Sequence, residues 1–310
     1  MSVCPDCRSP LSGSVCSCGW AVRLHDGIAD YLGTKDRTSP ETADYINTYD
    51  TLAEKNLVDP TLGNEYVSIL ARRFAETLGD VRGKDFCDLG AGRGYLIKHV
   101  LAKGPKSVTA VDIAAPALKS VSKAFGVPCI LANAEHLPFE RNFDIIAATD
   151  ILEHVLNVSN FLMTANWSLR DDGVLAIRVP YLENMTGYSN YNGLPMHFTH
   201  LRTFDRKTLV WLIEPFGFKV ERVHYDGFRH RQMRRFYDRF PKLKDKISAA
   251  IRSRFPSDDA VTGIHPLLGR LLMHPVEIGV TARKTMHIRA THYYEALEKF
   301  YNDRKSKRAI

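Results

Sequence analysis

The chain has 310 residues, 45% of them hydrophobic and 25% charged, which excludes a disordered or fibrous chain and leaves room for a full core with appendages. Its net charge of +7 is carried by one stretch: Phe228 to Phe255 holds ten Lys/Arg against two acids, so the rest of the chain is close to neutral. No apolar run reaches the roughly 18 residues that a membrane span needs, and "MSVCPDCRSP" has no apolar signal region, so the expectation is a cytoplasmic protein.

In chain order, residues 1–32 form a cysteine-rich head too small to fold on a hydrophobic core of its own. Its spacing is C-x2-C-x8-C-x-C, from Cys4, Cys7, Cys16 and Cys18. Four thiolates bind Zn²⁺ tetrahedrally, and a bound ion can fold so short a segment. The C-x-C pair departs from the usual C-x2-C, and His25 is the alternative fourth ligand. Cys87 and Cys129 lie in apolar runs and read as small core residues. A polar stretch, residues 33–44, reads as a linker.

From residue 45 the pattern alternates. "EYVSILARRFAETLGD" has helical spacing, "KDFCDLG" reads as a buried strand, and "YLIKHVLAKG" as a helix. "KSVTAVDIA" is a strand, and "PALKSVSKAFG" a helix with Pro at its start and Gly at its stop. "VPCILAN" is a strand, "FDIIAATDILEHV" a strand running into a turn and helix, "SNFLMTANWSLRDDG" a helix and "GVLAIRVP" a strand. After a loop-rich stretch, "FDRKTLVWLIEPFG" reads as a helix, and "FKVERVHY" and "PVEIGVTARK" as strands. Apolar strands separated by helices imply a doubly wound, mostly parallel α/β sheet, here of seven strands. The expected organisation is a head (1–32), a linker (33–44), a core (45–225), a basic helical insertion or substrate cap (226–273), and a last core strand with a basic tail (274–310).

The loop "DFCDLGAGRGYL" carries three alternate glycines. A P-loop needs a Lys after its last glycine, and none follows Gly94. A dinucleotide fingerprint needs glycine where Tyr95 stands. That weakens the dinucleotide reading, and a ligand without phosphates fits better: Gly90 and Gly92 allow a tight turn, and Asp88 offers a carboxylate to a cationic amine. Asp112, at the end of the next strand, can accept both hydroxyls of a ribose.

"DFCDLGAGRGYL", "VTAVDIA", "ILANAEHLPF", "FDIIAATDILEHV" and "LRDDGVLAIRVP", in that order, resemble the successive motifs of class I S-adenosylmethionine-dependent methyltransferases of the small-molecule (type 11-like) branch. The resemblance covers residues 45–225 and returns at 275–284. It implies a Rossmann-like methyltransferase fold with S-adenosyl-L-methionine as cofactor. By position it implies that Asp88, Gly90, Ala91 and Gly92 hold the methionine end, and that Asp112 holds the ribose beside Ile113. Asn133 stands where the family usually has Asp, with Ala134 and Glu135 next to it at the adenine. Thr149 and Asp150 line the transferring methyl, and Tyr49 matches a lid residue. The cysteine head is similar to the small zinc ribbon that precedes several methyltransferase domains.

An oxygen acceptor needs a base, and neutral His serves at pH 7. His197, in "LPMHFTH", is the candidate base, and His154, in "ILEHV", the candidate wall or orienting residue. His197 and His200 serving only to tie down their loop is the competing reading. Tyr181, Tyr188, Tyr191, Met185 and Met196 read as a pocket for an amphipathic acceptor. "TDILEHV" has no Asn-Pro pair to hold a flipped base, which favours oxygen or carbon acceptors on a small molecule, sugar or lipid-linked glycan, with O-methylation the expectation. The alternative is a ribosomal RNA methyltransferase that uses the head and residues 228–255 on RNA. An anionic membrane is another partner for that basic segment, and would make the protein peripheral to the bilayer.

Overall fold

A computed structural model describes residues 1–54, 63–183, 200–227, 229–230 and 273–288. Its centre is a nine-stranded sheet in the order β1-β2-β5-β4-β3-β6-β7-β11-β8. The strands are β1 (Arg23–His25), β2 (Ile28–Asp30), β3 (Asp85–Leu89), β4 (Ser107–Asp112), β5 (Cys129–Leu131), β6 (Phe143–Thr149), β7 (Leu169–Pro180), β8 (Phe218–Asp226) and β11 (Glu277–Lys284). Two further strands, β9 (Arg229–His230) and β10 (Met273–His274), pair only with each other. The helices are α1 (Thr34–Thr38), α2 (Pro40–Glu54), α3 (Gly63–Thr77), α4 (Tyr95–Leu101), α5 (Ala115–Phe125), α6 (Val158–Ser168) and α7 (Arg206–Ile213). None of the described helices is long and apolar enough to cross a membrane.

The strands from β2 to β7 run parallel, and β11 is antiparallel to both β7 and β8, which makes the sheet mixed. The expected seven strands are present as β5-β4-β3-β6-β7-β11-β8. The count is nine because the end of the head does not stand apart. It forms the β1–β2 hairpin, and β2 pairs with β5 as a further parallel strand.

Two apolar layers flank the sheet, one packed around Leu89, Ile146 and Phe161 and the other around Phe74, Phe86 and Ile97. Local signals place the helices between the strands. Pro116 opens α5 and Gly126, left-handed at φ 64°, closes it. Asn157 caps α6, and Asp205 with Thr208 forms a capping box on α7. After β6 the chain makes the expected turn at Leu152–His154, but the helix expected within "ILEHV" is absent and the chain becomes helical only at Val158.

Residues 33–44 are helical rather than an irregular linker, spanning α1 and the start of α2. The reason is Asp36, buried at the start of α1. Its carboxylate accepts the Gly33 N–H (2.9 Å) and the side-chain amide of Asn133 (2.7 Å). The head is also tied to the segment after β5. Val3 N–H donates to the Pro138 carbonyl (3.0 Å), and the Arg8 guanidinium donates to the Leu137 carbonyl and lies over the Trp167 ring. The insertion call falls mostly on residues 231–272 and the tail call on 289–310, both outside the described residues.

Asn166, fully buried on α6, links three chain segments. Its amide donates to the Phe216 and Met286 carbonyls (both 2.9 Å), and its oxygen accepts the Ile288 N–H (3.1 Å). Asn166→Leu leaves these groups without partners and is expected to lower stability by about 3 kcal/mol in urea unfolding.

Candidate functional site

The C-terminal ends of β5, β4, β3 and β6 lie side by side, and the residues singled out by the motifs sit on them or just beyond. Leu89 is the last residue of β3. The loop after it turns back on β4, with the Gly90 and Ala91 N–H groups both donating to the Val111 carbonyl (2.8 and 3.1 Å). Gly90 has φ 76°, and a Cβ there would lie 2.8 Å from Ile151 Cδ1. Any side chain at this position is therefore strained twice over. At Gly92 (φ 49°) a Cβ would meet open space, which leaves that face of the loop to a ligand.

Asp112 closes the loop electrostatically. Its Oδ2 accepts the Gly92 N–H (2.8 Å) and its Oδ1 accepts the Ala114 N–H (2.9 Å). Burial raises its pKa, and these N–H groups oppose the rise. Each oxygen keeps a lone pair for a hydroxyl donor. Asp88 is 1% exposed, and its Oδ1 has no hydrogen-bond partner among the described residues. Burial first, and then the Asp112 charge, push its pKa from 3.8 up to about 7, while Arg178 pulls the other way. A buried carboxylate oxygen with no donor is a vacancy for a cation, and the amine of an amino-acid moiety fits that chemistry.

Asn133, at the end of β5, has both ends of its amide engaged. Its nitrogen donates to Asp36, and its oxygen accepts the Glu135 N–H (2.9 Å), leaving that oxygen one further lone pair. An Asp here would face Asp36 as a like charge, which accounts for the Asn. Glu135 turns away to accept the Leu156 N–H (2.7 Å). Ala134 is buried, and Ile113 packs half-buried against the core layer that holds Phe86. Thr149 ends β6, and Asp150, left-handed at φ 55°, forms an ion pair with Arg178.

Helix α2 crosses above these strand ends. Asp50 accepts the Ala115 N–H (3.0 Å), which anchors α2 to the start of α5. Tyr49, on the same helix, stands edge-on to the His154 ring (5.8 Å between centroids), and His154 stands edge-on to His200 (4.5 Å). Tyr49 and His154 therefore meet at one wall. His197, Tyr188, Tyr191, Met185 and Met196 lie outside the described residues, and Tyr181 sits instead against Tyr225 (5.2 Å).

Three participants were not read from the sequence as part of the site. Arg178, 3% exposed on β7, pairs with Asp150, lies 4.0 Å from Glu277 and faces the Phe74 ring at 5.8 Å. Its signal was available, since a lone cation inside the apolar run "GVLAIRVP" must be paired if that strand is central. Glu153 is fully buried, and Glu183 contacts His200 Nδ1 at 2.5 Å. No local pattern marks either one.

In the head, the four cysteines converge without disulfides. The Sγ atoms are 3.6 Å apart for Cys4–Cys18 and 3.4 Å for Cys7–Cys16, and all four lie within 4.8 Å of one another. Tetrahedral Zn–S bonds of about 2.3 Å would set neighbouring sulfurs roughly 3.8 Å apart, so the cluster suits a tetrathiolate ion. His25 is not among the clustered ligands.

Comparison with known proteins agrees with this geometry. A family model described as "Methyltransferase domain" matches residues 62–223. The rat protein named "Arginine-hydroxylase NDUFAF5, mitochondrial" is 28% identical over 173 residues, 53% of this chain and 50% of that protein. The uncharacterized protein MJ1252 of Methanocaldococcus jannaschii is 27% identical over 184 residues, 57% of this chain and 69% of its own length. The chain spans about half the length of the mammalian relatives it matches. Among solved structures, a Burkholderia thailandensis 1,6-didemethyltoxoflavin-N1-methyltransferase shares the fold (TM-score 0.52, 20% identity, 79% of this chain and 90% of that one). The family model spans more than half of the chain, and the chain belongs to the methyltransferase-domain family.

Proposed function

We propose that the chain methylates an oxygen of a small-molecule, sugar or lipid-linked glycan acceptor. When bound, S-adenosylmethionine supplies a methyl carbon on a cationic sulfur. The chain's own residues orient it. The unpartnered Asp88 oxygen takes the amine, Asp112 the ribose hydroxyls, and the open side of Gly92 the adjoining backbone approach. Ala91 and Ile113 pack beside the ligand, Asn133, Ala134 and Glu135 border the adenine, and Thr149 and Asp150 flank the reacting end.

The observation that carries the acceptor reading is the wall of Tyr49, His154 and His200 around the β6 turn. Imidazoles there address an acceptor hydroxyl, whereas a base-flipping enzyme would need an Asn-Pro pair that "TDILEHV" lacks. The residues around the β6 turn would orient an acceptor hydroxyl toward the methyl group that the bound cofactor would supply, and that hydroxyl would pass its proton to a nearby base. With Tyr49 as lid, α2 excludes water from that step. His197 is the candidate proton acceptor from the neighbouring loop. The RNA reading rests on the ten cations between Phe228 and Phe255, and the anionic-membrane reading rests on the same residues.

The head is proposed as a structural Zn²⁺ site of Cys4, Cys7, Cys16 and Cys18, closed and remote from the chemistry. Trp20 packs against Cys4 and Cys16 and reports on it. Chelation is expected to remove one Zn²⁺ per chain, shift Trp20 emission to the red and expose the head to protease, while protein that holds no zinc as purified contradicts the assignment.

Asp88 gives a signed pH dependence. Between the ordinary carboxylate pKa of 3.8 and about 7, the folded chain holds a proton that the unfolded chain has released. This group's contribution to the stability of the free protein therefore falls as pH rises through that window. A cationic ligand needs the ionised form, so affinity for S-adenosylmethionine should climb up to pH 7, by at most about tenfold per pH unit. Calorimetry should show this climb in the native chain and a weaker, flat profile in Asp88→Asn.

Incubation with methyl-labelled S-adenosylmethionine and fractionated extract tests the acceptor. Label in the small-molecule or lipid fraction, with a mass gain of one CH₂, is expected. Label in RNA selects the alternative, and a gain of one oxygen would place the chain with the activity in the name of its rat relative.

A further inference from the structure

We infer that Glu153, His154 and His200 form a divalent metal site, on the acceptor side of the cofactor pocket, that holds the acceptor's hydroxyl oxygen. Their candidate ligand atoms all lie within 4.8 Å of one another, with His154 Nε2 3.9 Å from Glu153 Oε1. The inference rests on the acceptor reading above for its chemistry, but not for the existence of the site.

The cluster is built by the backbone. The Leu201 N–H donates to the Glu153 carbonyl (2.9 Å), and the Arg202 guanidinium donates to the carbonyls of Leu152 (2.9 Å) and Val155 (2.6 Å). These bonds dock residues 200–202 on the turn after β6 and bring His200 against His154. A second set fixes Glu183. The Leu182 N–H donates to the Phe204 carbonyl (2.8 Å), and the Glu183 N–H to Thr203 Oγ1 (2.7 Å). Glu183 then meets His200 at Nδ1. A carboxylate on one ring nitrogen fixes the tautomer that offers the other nitrogen to a metal, as in carboxylate–histidine–metal triads.

The second observation is Glu153 itself. It is fully buried, and neither carboxylate oxygen has a hydrogen-bond partner among the described residues. The carboxylates of Asp150, Glu277 and Glu183 act on it as like charges. Four carboxylates thus share this region. Arg178 serves Asp150 and Glu277, while Arg202 donates to main-chain carbonyls and reaches Glu153 only as a charge through space. A divalent cation supplies the missing charge and the missing partner for Glu153 together.

The donor set is two imidazoles and one carboxylate. It suits Mn²⁺, Fe²⁺, Co²⁺ or Zn²⁺ better than Mg²⁺, which prefers oxygen donors and water. Three protein ligands leave positions open, and an acceptor hydroxyl bound there loses its proton more readily. The chemical class of acceptor is therefore one with a hydroxyl that can reach a metal.

Mn²⁺ is the probe, because hard N/O donors hold it and the thiolates of the head select softer ions. The full chain is titrated with Mn²⁺, with bound ion read by loss of the free-ion paramagnetic resonance signal and open positions by water-proton relaxation. One Mn²⁺ per chain with enhanced relaxation is expected, unchanged in Cys7→Ser. Affinity should fall at least tenfold in Glu153→Gln and in His200→Gln, and by less in Glu183→Gln. S-adenosylhomocysteine binding by calorimetry, run on the same samples, reports folding and tests the cofactor reading separately. Failure of the native chain to bind Mn²⁺ while it binds that nucleoside overturns the inference. So does binding that Glu153→Gln and His200→Gln leave intact, and a site without relaxation enhancement overturns the acceptor role.

Discussion

A buried guanidinium governs this end of the sheet. Arg178 lies within the central strand β7, and burial disfavours its charge, yet the Asp150 carboxylate, with Glu277 and Asp226 adding, holds its pKa above the usual arginine value. Removing one partner of such a group strands a charge in the interior, at a typical cost of about 3–5 kcal/mol. The pairing sets Asp150 in its left-handed turn, and Asp150 in turn sets the direction of the chain into Ile151–Val155. Those turns carry Glu153 and His154. The same cation tempers the charge of Asp88 on β3, across the intervening β6. The proposed cofactor carboxylate Asp88 and the turn that carries Glu153 and His154 thus both lie close to one arginine.

The glycine loop works against that background of negative charge. Asp112 is held by two backbone N–H groups and Asp88 has one oxygen without a donor, so the two acids are prepared for different tasks. One is ordered and keeps lone pairs for hydroxyl donors. The other is destabilised as an anion until a cation arrives. On the proposed reading, a sulfonium amino acid would relieve the second, and the desolvation penalty of Asp88 would become selectivity for a positive ligand.

The head acts on the same pocket from the opposite edge. It extends the sheet through β2, and Asp36 reaches Asn133 at the end of β5. The residue that the family resemblance places at the adenine is thereby bonded to the element that follows the cysteine cluster. A metal in the head would stabilise the β1–β2 hairpin and, through α1, the orientation of Asn133.

Periodicity and punctuation alone determined most of the α/β core. Apolar runs of strand length separated by amphipathic helices admit few arrangements, and the order of acid-ended strands and glycine turn favoured a phosphate-free nucleoside with an amino-acid end as the ligand. Those are local properties, written in consecutive residues. Other features depended on contacts between distant segments. Residues 33–44 look like a linker because their polar composition conceals that Asp36 is buried against Asn133, 97 positions away. The hairpin joined to β5, the burial of Glu153 and the meeting of His154 with His200 leave no trace in local composition. They arise only when the turn after β6 and the 181–204 segment are packed together, because burial and ligand convergence belong to the folded arrangement and not to any stretch of chain.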